Sequence, residues 1–169
     1  MILPEQFDQN ELFVLTSLLI FYSLLFWLPN RFPLSLIILM MISSATVARL
    51  TDHLLSGSKM NLYSIMDLDK YELFDFFTYL LYAPFGYFLV YGYDKFKLQG
   101  ISVLLYILVW ALGATAFGEI SLLFGVFKYK EWEASYSFTY YFIMISLMLL
   151  VYRFFKRSYK LHKVEIYNR

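Results

Sequence analysis

Long apolar runs alternate with short polar breaks along this chain, and each run is long enough to cross a bilayer as an α-helix. One crossing takes roughly 20 mostly apolar residues. The pattern predicts five spans, at about residues 12–28, 34–50, 73–93, 101–127 and 136–155. We therefore expect an all-α integral membrane bundle, a single domain over residues 1–169, with no β-sheet, because helices satisfy their own backbone groups in lipid.

The polar breaks contain residues that typically end a helix. Pro29 and Pro33 cannot continue a helix, so they predict a tight turn after the first span. The longest connection, residues 51–72, reads as a loop with one helical turn at the interface. Pro84 and Gly86 lie in the middle of the third span and predict a kink there.

Composition supports a membrane protein and excludes several other classes. The chain is 60% hydrophobic and 16% charged, whereas soluble domains carry about 25% charged residues. A net charge of +1 leaves no dense basic surface, so we expect no nucleic-acid partner. The absence of cysteine excludes disulfides, thiol nucleophiles and thiolate metal sites.

The distribution of Lys and Arg predicts the orientation, because short cytoplasmic segments retain positive charges. With the N-terminus outside, nine basic residues fall on the inner side and five on the outer side. The inner nine are Arg31, Lys95, Lys97, Arg153, Lys156, Arg157, Lys160, Lys163 and Arg169, and the outer five are Arg49, Lys59, Lys70, Lys128 and Lys130. We expect the N-terminus outside and the C-terminus in the cytoplasm. The start of the chain holds no Lys or Arg, so we expect the first span to stay in the mature protein.

Three acids stand out because an ionised side chain inside hydrocarbon costs about 2.5–3.5 kcal/mol. Asp52, Asp75 and Glu119 would all lie toward the outer side in this orientation. We expect the carboxylates of Asp75 and Glu119 to face the bundle interior, in a polar cluster between spans two, three and four that binds a cation, a proton or a lipid headgroup. Helical spacing adds these candidate partners to the cluster: Arg49, His53, Thr78 and Thr115.

A purely structural role explains the positions of these acids equally well. Asp52 and Asp75 lie near the ends of their spans, where a carboxylate can meet water or cap a helix start. His53 and His162 fall on opposite sides, so we expect no histidine metal site, although an all-oxygen cation site made by the three acids stays open. Nothing predicts a cofactor.

Aromatic residues cluster around the start of the fifth span. A ligand cage is one interpretation, and an aromatic belt at the headgroup level is the commoner reason for such residues at span ends. The residues concerned are Tyr129, Trp132, Tyr136, Tyr140 and Tyr141.

Three functions remain open at this stage. The first is a small channel or transporter subunit, or an assembly component, with membrane lipids, a second copy or another membrane protein as partner. The second is an intramembrane lipid-modifying enzyme that uses two carboxylates as general acid and base. The third is a purely structural scaffold. We assign no catalytic residue, because the sequence has no Ser-His, Cys-His or Gly-rich phosphate motif.

Three runs, at residues 71–77 (YELFDFF), 84–96 (PFGYFLVYGYDKF) and 124–138 (FGVFKYKEWEASYSF), resemble segments of a family of small multi-pass membrane proteins of Bacillus and other endospore-forming Firmicutes. The family often has further acidic or tryptophan positions beside the one equivalent to Glu119, where Ile120 stands here. The resemblance implies a helical membrane fold in a bacterial cytoplasmic membrane. It implies no activity.

Overall fold

The computed structural model describes residues 7–57, 60–66 and 73–167, with side chains described as far as Arg157. Within these ranges five α-helices follow one another: α1 (Gln9–Trp27), α2 (Leu34–Leu55), α3 (Leu73–Lys95), α4 (Ile101–Leu123) and α5 (Ala134–Tyr167). All five are long and apolar enough to cross a membrane. The prediction of a helical fold with five potential spans is therefore confirmed.

The helix ends differ from the predicted span ends where α2, α4 and α5 finish. α5 runs to Tyr167 instead of ending at residue 155. α2 continues to Leu55 instead of ending at residue 50, and the Thr51 hydroxyl bonds within the helix to the Val47 carbonyl at 2.9 Å. α4 ends at Leu123 instead of residue 127. Gly125 follows with φ of 75°, a conformation that glycine adopts without strain and that commonly ends a helix.

The expectation of no β-sheet was wrong. Strands β1 (Tyr63–Ile65) and β2 (Phe127–Tyr129) form an antiparallel pair, which we call the cap sheet. The cap sheet joins the α2–α3 connection to the α4–α5 connection. The rule against open sheet edges applies only inside hydrocarbon, and these connections lie beyond the helix ends.

Helix α3 is the centre of the bundle. Its most apolar window is 61% buried, against 22% or less in the other four helices, and α3 contacts each of them. The outer helices expose large apolar side chains such as Leu19, Leu105 and Leu150. Such exposed apolar faces are the surface expected of a protein surrounded by lipid tails.

Close backbone contact fixes α2 against α3. A Cβ atom at Gly86 would lie 2.6 Å from the Met40 carbonyl oxygen, so only glycine allows this approach. The Ser44 hydroxyl donates to the Tyr82 carbonyl at 2.8 Å on the same contact. α2 is therefore held along the middle of α3.

Asp94 connects three elements at the end of the bundle opposite the cap sheet. Its carboxylate accepts hydrogen bonds from the Tyr152 hydroxyl at 3.0 Å and from the Lys156 ammonium, and it lies 3.6 Å from the Arg31 guanidinium. α5 is thus tied to α3 and to the α1–α2 turn at this end, and through the cap sheet at the other.

Candidate functional site

A cavity of about 540 Å³ lies between α2 and α5, with α3 and α4 forming its inner wall. This volume falls in the range of about 300–1,000 Å³ that is usual for small-molecule sites. Apolar side chains such as Phe85, Leu89 and Phe117 make up most of the wall. The polar lining residues concentrate near the cap sheet, so the cavity has one polar end.

The lining follows helical spacing on both flanking helices. Residues three or four positions apart share one face of a helix, and the lining residues of α5 include Ser137, Tyr141, Met144, Met148 and Val151. Those of α2 include Ser44, Ala48, Thr51 and Leu55. Each helix therefore turns one continuous face to the cavity.

The cap sheet closes the polar end with two tyrosines. Tyr63 and Tyr129 are directly opposite in the ladder, so their side chains lie on the same side of the sheet. The Tyr63 hydroxyl donates to Asp52 Oδ1 at 2.6 Å, and the Tyr129 hydroxyl donates to Glu119 Oε1 at 3.3 Å. One cross-strand pair thus holds a carboxylate from α2 and a carboxylate from α4.

Both phenols remain hydrogen-bond donors at physiological pH. Burial, followed by the neighbouring Asp52 carboxylate, raises the pKa of Tyr63 far above its usual value. Burial likewise raises the pKa of Tyr129, and the Glu119 charge adds to the effect while the Ser137 hydroxyl opposes it. Neither hydroxyl loses its proton in the range in which a cell works.

Asp52 is the carboxylate that reaches the cavity. Its side chain is 7% exposed, and it is the one acid among the described residues that line the cavity. Oδ1 is held by Tyr63, whereas Oδ2 is buried and accepts no hydrogen bond from any described residue. A buried carboxylate oxygen without a donor is costly, so the site favours an occupant that supplies one.

The predicted partner Arg49 lies one helical turn before Asp52 on α2. Its guanidinium donates to the Tyr79 hydroxyl at 3.1 Å and lies over that ring. Asp75 is buried, as expected. Thr78 is buried too, but its hydroxyl donates to the Asp75 backbone carbonyl. These residues form a group around the end of α2 and the start of α3.

The other predicted residues lie apart from this group. Glu119 is half-buried and held by Tyr129, and the Thr115 hydroxyl bonds to the Ala111 carbonyl of its own helix. The His53 side chain is exposed, so it does not supply an interior partner. In the described part of the chain no three His, Asp or Glu side chains come close enough to hold a metal ion, so the open possibility of a three-carboxylate cation site is not realised. His162 lies beyond the described side chains.

Four residues of the possible ligand cage line the cavity, namely Tyr129, Trp132, Tyr140 and Tyr141, whereas the sequence analysis missed Thr51, Ser137 and Tyr63. Trp132 Nε1 donates to the Ser137 hydroxyl at 2.8 Å, and the Thr51 and Tyr140 hydroxyls lie 2.6 Å apart. The helical spacing of Ser137, Tyr140 and Tyr141 was a usable signal, because a belt at the headgroup level does not require one shared face. Tyr63 gave no signal, since its position depends on a strand pairing far along the chain.

A further buried acid, Glu11, also escaped the sequence analysis. Its side chain is fully buried, and Oε2 accepts a hydrogen bond from the Asp8 backbone at 2.7 Å. Asp8 and Glu11 form a capping box at the start of α1, and the acid three residues after an Asp was the available signal. Glu11 is not among the residues that line the cavity.

No protein-family model, no curated protein and no solved structure matches this chain. The resemblance to the Bacillus and Firmicutes family stays a prediction, and function has to be inferred from the site.

Proposed function

We propose that this chain is a multi-pass protein of a bacterial cytoplasmic membrane that binds one amphiphilic membrane molecule in the cavity between α2 and α5. It would act as a transporter subunit or assembly component, with its N-terminus outside. The observation that carries the proposal is the shape of the cavity: a long apolar wall that ends at Asp52 and the cap sheet.

The apolar wall suits the tail of a lipid-like molecule, and the polar end suits its headgroup. Lipid tails are already in an apolar solvent, so moving a tail from the bilayer into the cavity contributes little free energy. Affinity and selectivity would therefore come from the headgroup end, where Asp52 and Tyr63 lie. A purely structural scaffold would need no such cavity.

A second candidate is the lipid-modifying enzyme. The observation in its favour is that the cavity reaches the Asp52 carboxylate. General acid and base catalysis with two carboxylates needs a second acid in reach of the same substrate, and Glu119 is not among the lining residues. We therefore place binding before catalysis.

Blocking the cavity tests the proposal with a matched control on the same helix. Ala114 lines the cavity, whereas Ala116 is exposed on another face of α4. Ala114→Phe should fill part of the cavity and remove most of the lipid that co-purifies in mild detergent, as measured by native mass spectrometry. Ala116→Phe adds the same ring outside the cavity and should retain the lipid.

Equal lipid retention by the two variants would contradict the proposal. The same mass spectra distinguish the second candidate, because an enzyme would convert an added lipid to a product of different mass over time, whereas a binding protein would release it unchanged.

A further inference from the structure

Four aromatic residues lie at the polar end of the cavity, where the Asp52 carboxylate is. The Tyr63 ring, whose hydroxyl is bonded to Asp52, lies 5.7 Å from the Trp132 ring between centroids. Tyr140 is tied to Thr51, the neighbour of Asp52 in sequence, and stacks edge-on against Tyr141 at 5.4 Å. All four rings belong to residues that line the cavity.

One carboxylate oxygen at this end, Oδ2 of Asp52, accepts no hydrogen bond from any described residue. Arg49 lies one helical turn earlier on α2, and its guanidinium donates to the Tyr79 hydroxyl. Isolated charge in an apolar cavity is costly unless an opposite charge or a donor approaches it. Aromatic faces attract cations within about 6 Å of the ring centre and have no comparable attraction for anions.

We propose that the headgroup bound at Asp52 is an organic cation, an ammonium group that pairs with Oδ2 and lies against the rings of Tyr63, Trp132 and Tyr140. This inference rests on the proposed function, since it names the class of amphiphile that the cavity takes. An anionic headgroup is disfavoured at this position, because it would face the Asp52 carboxylate and would not be attracted by the aromatic faces. A neutral hydroxyl headgroup could donate to Oδ2 but would gain nothing from the rings.

The tryptophans of the chain allow a direct binding test. Trp110 and Trp132 line the cavity, whereas Trp27 is 82% exposed at the end of α1. In a Trp27→Phe background, fluorescence quenching by amphiphiles with a terminally brominated undecyl chain reports occupancy of the cavity. Three probes share that chain and differ in the headgroup, which is a primary ammonium, a hydroxyl or a carboxylate. All are titrated in the same non-ionic micelles.

We expect the primary ammonium probe to bind about tenfold more tightly than the alcohol, and the carboxylate probe to bind most weakly. Asp52→Asn keeps the side-chain shape and the acceptor for Tyr63, so it should preserve alcohol binding and reduce the preference for the cation to about threefold or less. Glu11→Gln removes a fully buried acid that does not line the cavity and should keep the preference.

Three other outcomes would each refute one part of the inference. Equal binding of the cation and the alcohol, or tighter binding of the carboxylate, would refute the cationic headgroup while leaving the proposed function intact. An equal loss of preference in Glu11→Gln would refute pairing at Asp52, because the overall negative charge of the protein would then explain the preference. Quenching that persists unchanged in Ala114→Phe would refute the proposed function itself. If Asp52→Asn does not fold, the ranking of the three probes on the unsubstituted chain still tests the preference for a cationic headgroup.

Discussion

Pro84, in the middle of the central helix, shows how single residues satisfy the backbone of this bundle. Proline has no N–H group, so the carbonyl four positions earlier, that of Leu80, loses its helical donor. The Tyr22 hydroxyl of α1 donates to that carbonyl at 3.1 Å. An unsatisfied carbonyl is costly in an apolar surrounding, so this contact both repairs α3 and holds α1 against it.

This repair predicts a coupling between Tyr22 and Pro84. Tyr22→Phe should lower the free energy of unfolding by about 1 kcal/mol, the usual net contribution of one hydrogen bond. In a Pro84→Ala background the new N–H can bond to Leu80, so the cost of Tyr22→Phe should nearly disappear. A double-mutant cycle from equilibrium unfolding in mixed micelles measures this difference.

The matched control is Tyr136→Phe, which removes a hydroxyl from a tyrosine that is 51% exposed and should change little. If Tyr22→Phe costs the same with Pro84 and with alanine at that position, the hydroxyl does not serve the Leu80 carbonyl.

At the level of elements, the cap sheet determines which tyrosines meet the carboxylates. Backbone hydrogen bonds from Met66 to Val126 at 2.9 Å and from Lys130 to Leu62 at 3.0 Å mark hydrogen-bonded positions of the ladder. Tyr63 and Tyr129 lie one residue inside these, in a non-hydrogen-bonded pair, where side chains approach most closely. The two phenols therefore lie on one face of the cap sheet, where they reach Asp52 and Glu119.

A disulfide across the cap sheet tests this register. Ser64 and Lys128 are directly opposite, and opposed residues of an antiparallel pair have Cα atoms about 5.5 Å apart at hydrogen-bonded positions, within the range that a disulfide spans. Ser64→Cys with Lys128→Cys should form a disulfide on mild oxidation and lose reactivity toward a maleimide–polyethylene glycol reagent. The chain contains no other cysteine to interfere.

Ser64→Cys with Glu133→Cys serves as the control, because residue 133 lies outside β2, and that pair should stay reactive. Identical behaviour of the two pairs would mean that the strands do not hold this register in the membrane.

The five helices could be predicted because each is specified by a local run of apolar residues, and Asp52 could be predicted because an acid interrupts such a run. The cap sheet could not, since three-residue strands carry too little alternation to be recognised. The cavity depends on how α2 and α5 are held apart by contacts at both of their ends, through Asp94 and the cap sheet. Such long-range packing leaves no periodic signal in either helix alone.

At the scale of the whole molecule, the two ends of the bundle differ in charge and in construction. Of the basic residues whose side chains are described, six lie at the end with Asp94 and three at the end with the cap sheet. The six are Arg31, Lys95, Lys97, Arg153, Lys156 and Arg157, and the three are Arg49, Lys128 and Lys130. The asymmetry has the same direction as the count over the full sequence.

The orientation that follows from this asymmetry decides which leaflet supplies the cavity. Positive charges are retained in the cytoplasm, so the cap sheet and Asp52 should face the outside. Glu131→Cys beside the cap sheet and Gln99→Cys at the opposite end leave every Lys and Arg in place, and both positions are exposed. In intact cells a membrane-impermeant maleimide should label residue 131 at once and residue 99 only after permeabilisation.

The reverse pattern would contradict the orientation and would place the polar end of the cavity, with its carboxylate, at the cytoplasmic leaflet. Because the headgroup must reach Asp52 for a tail to lie along α2 and α5, the expected labelling means that the amphiphile enters from the outer leaflet.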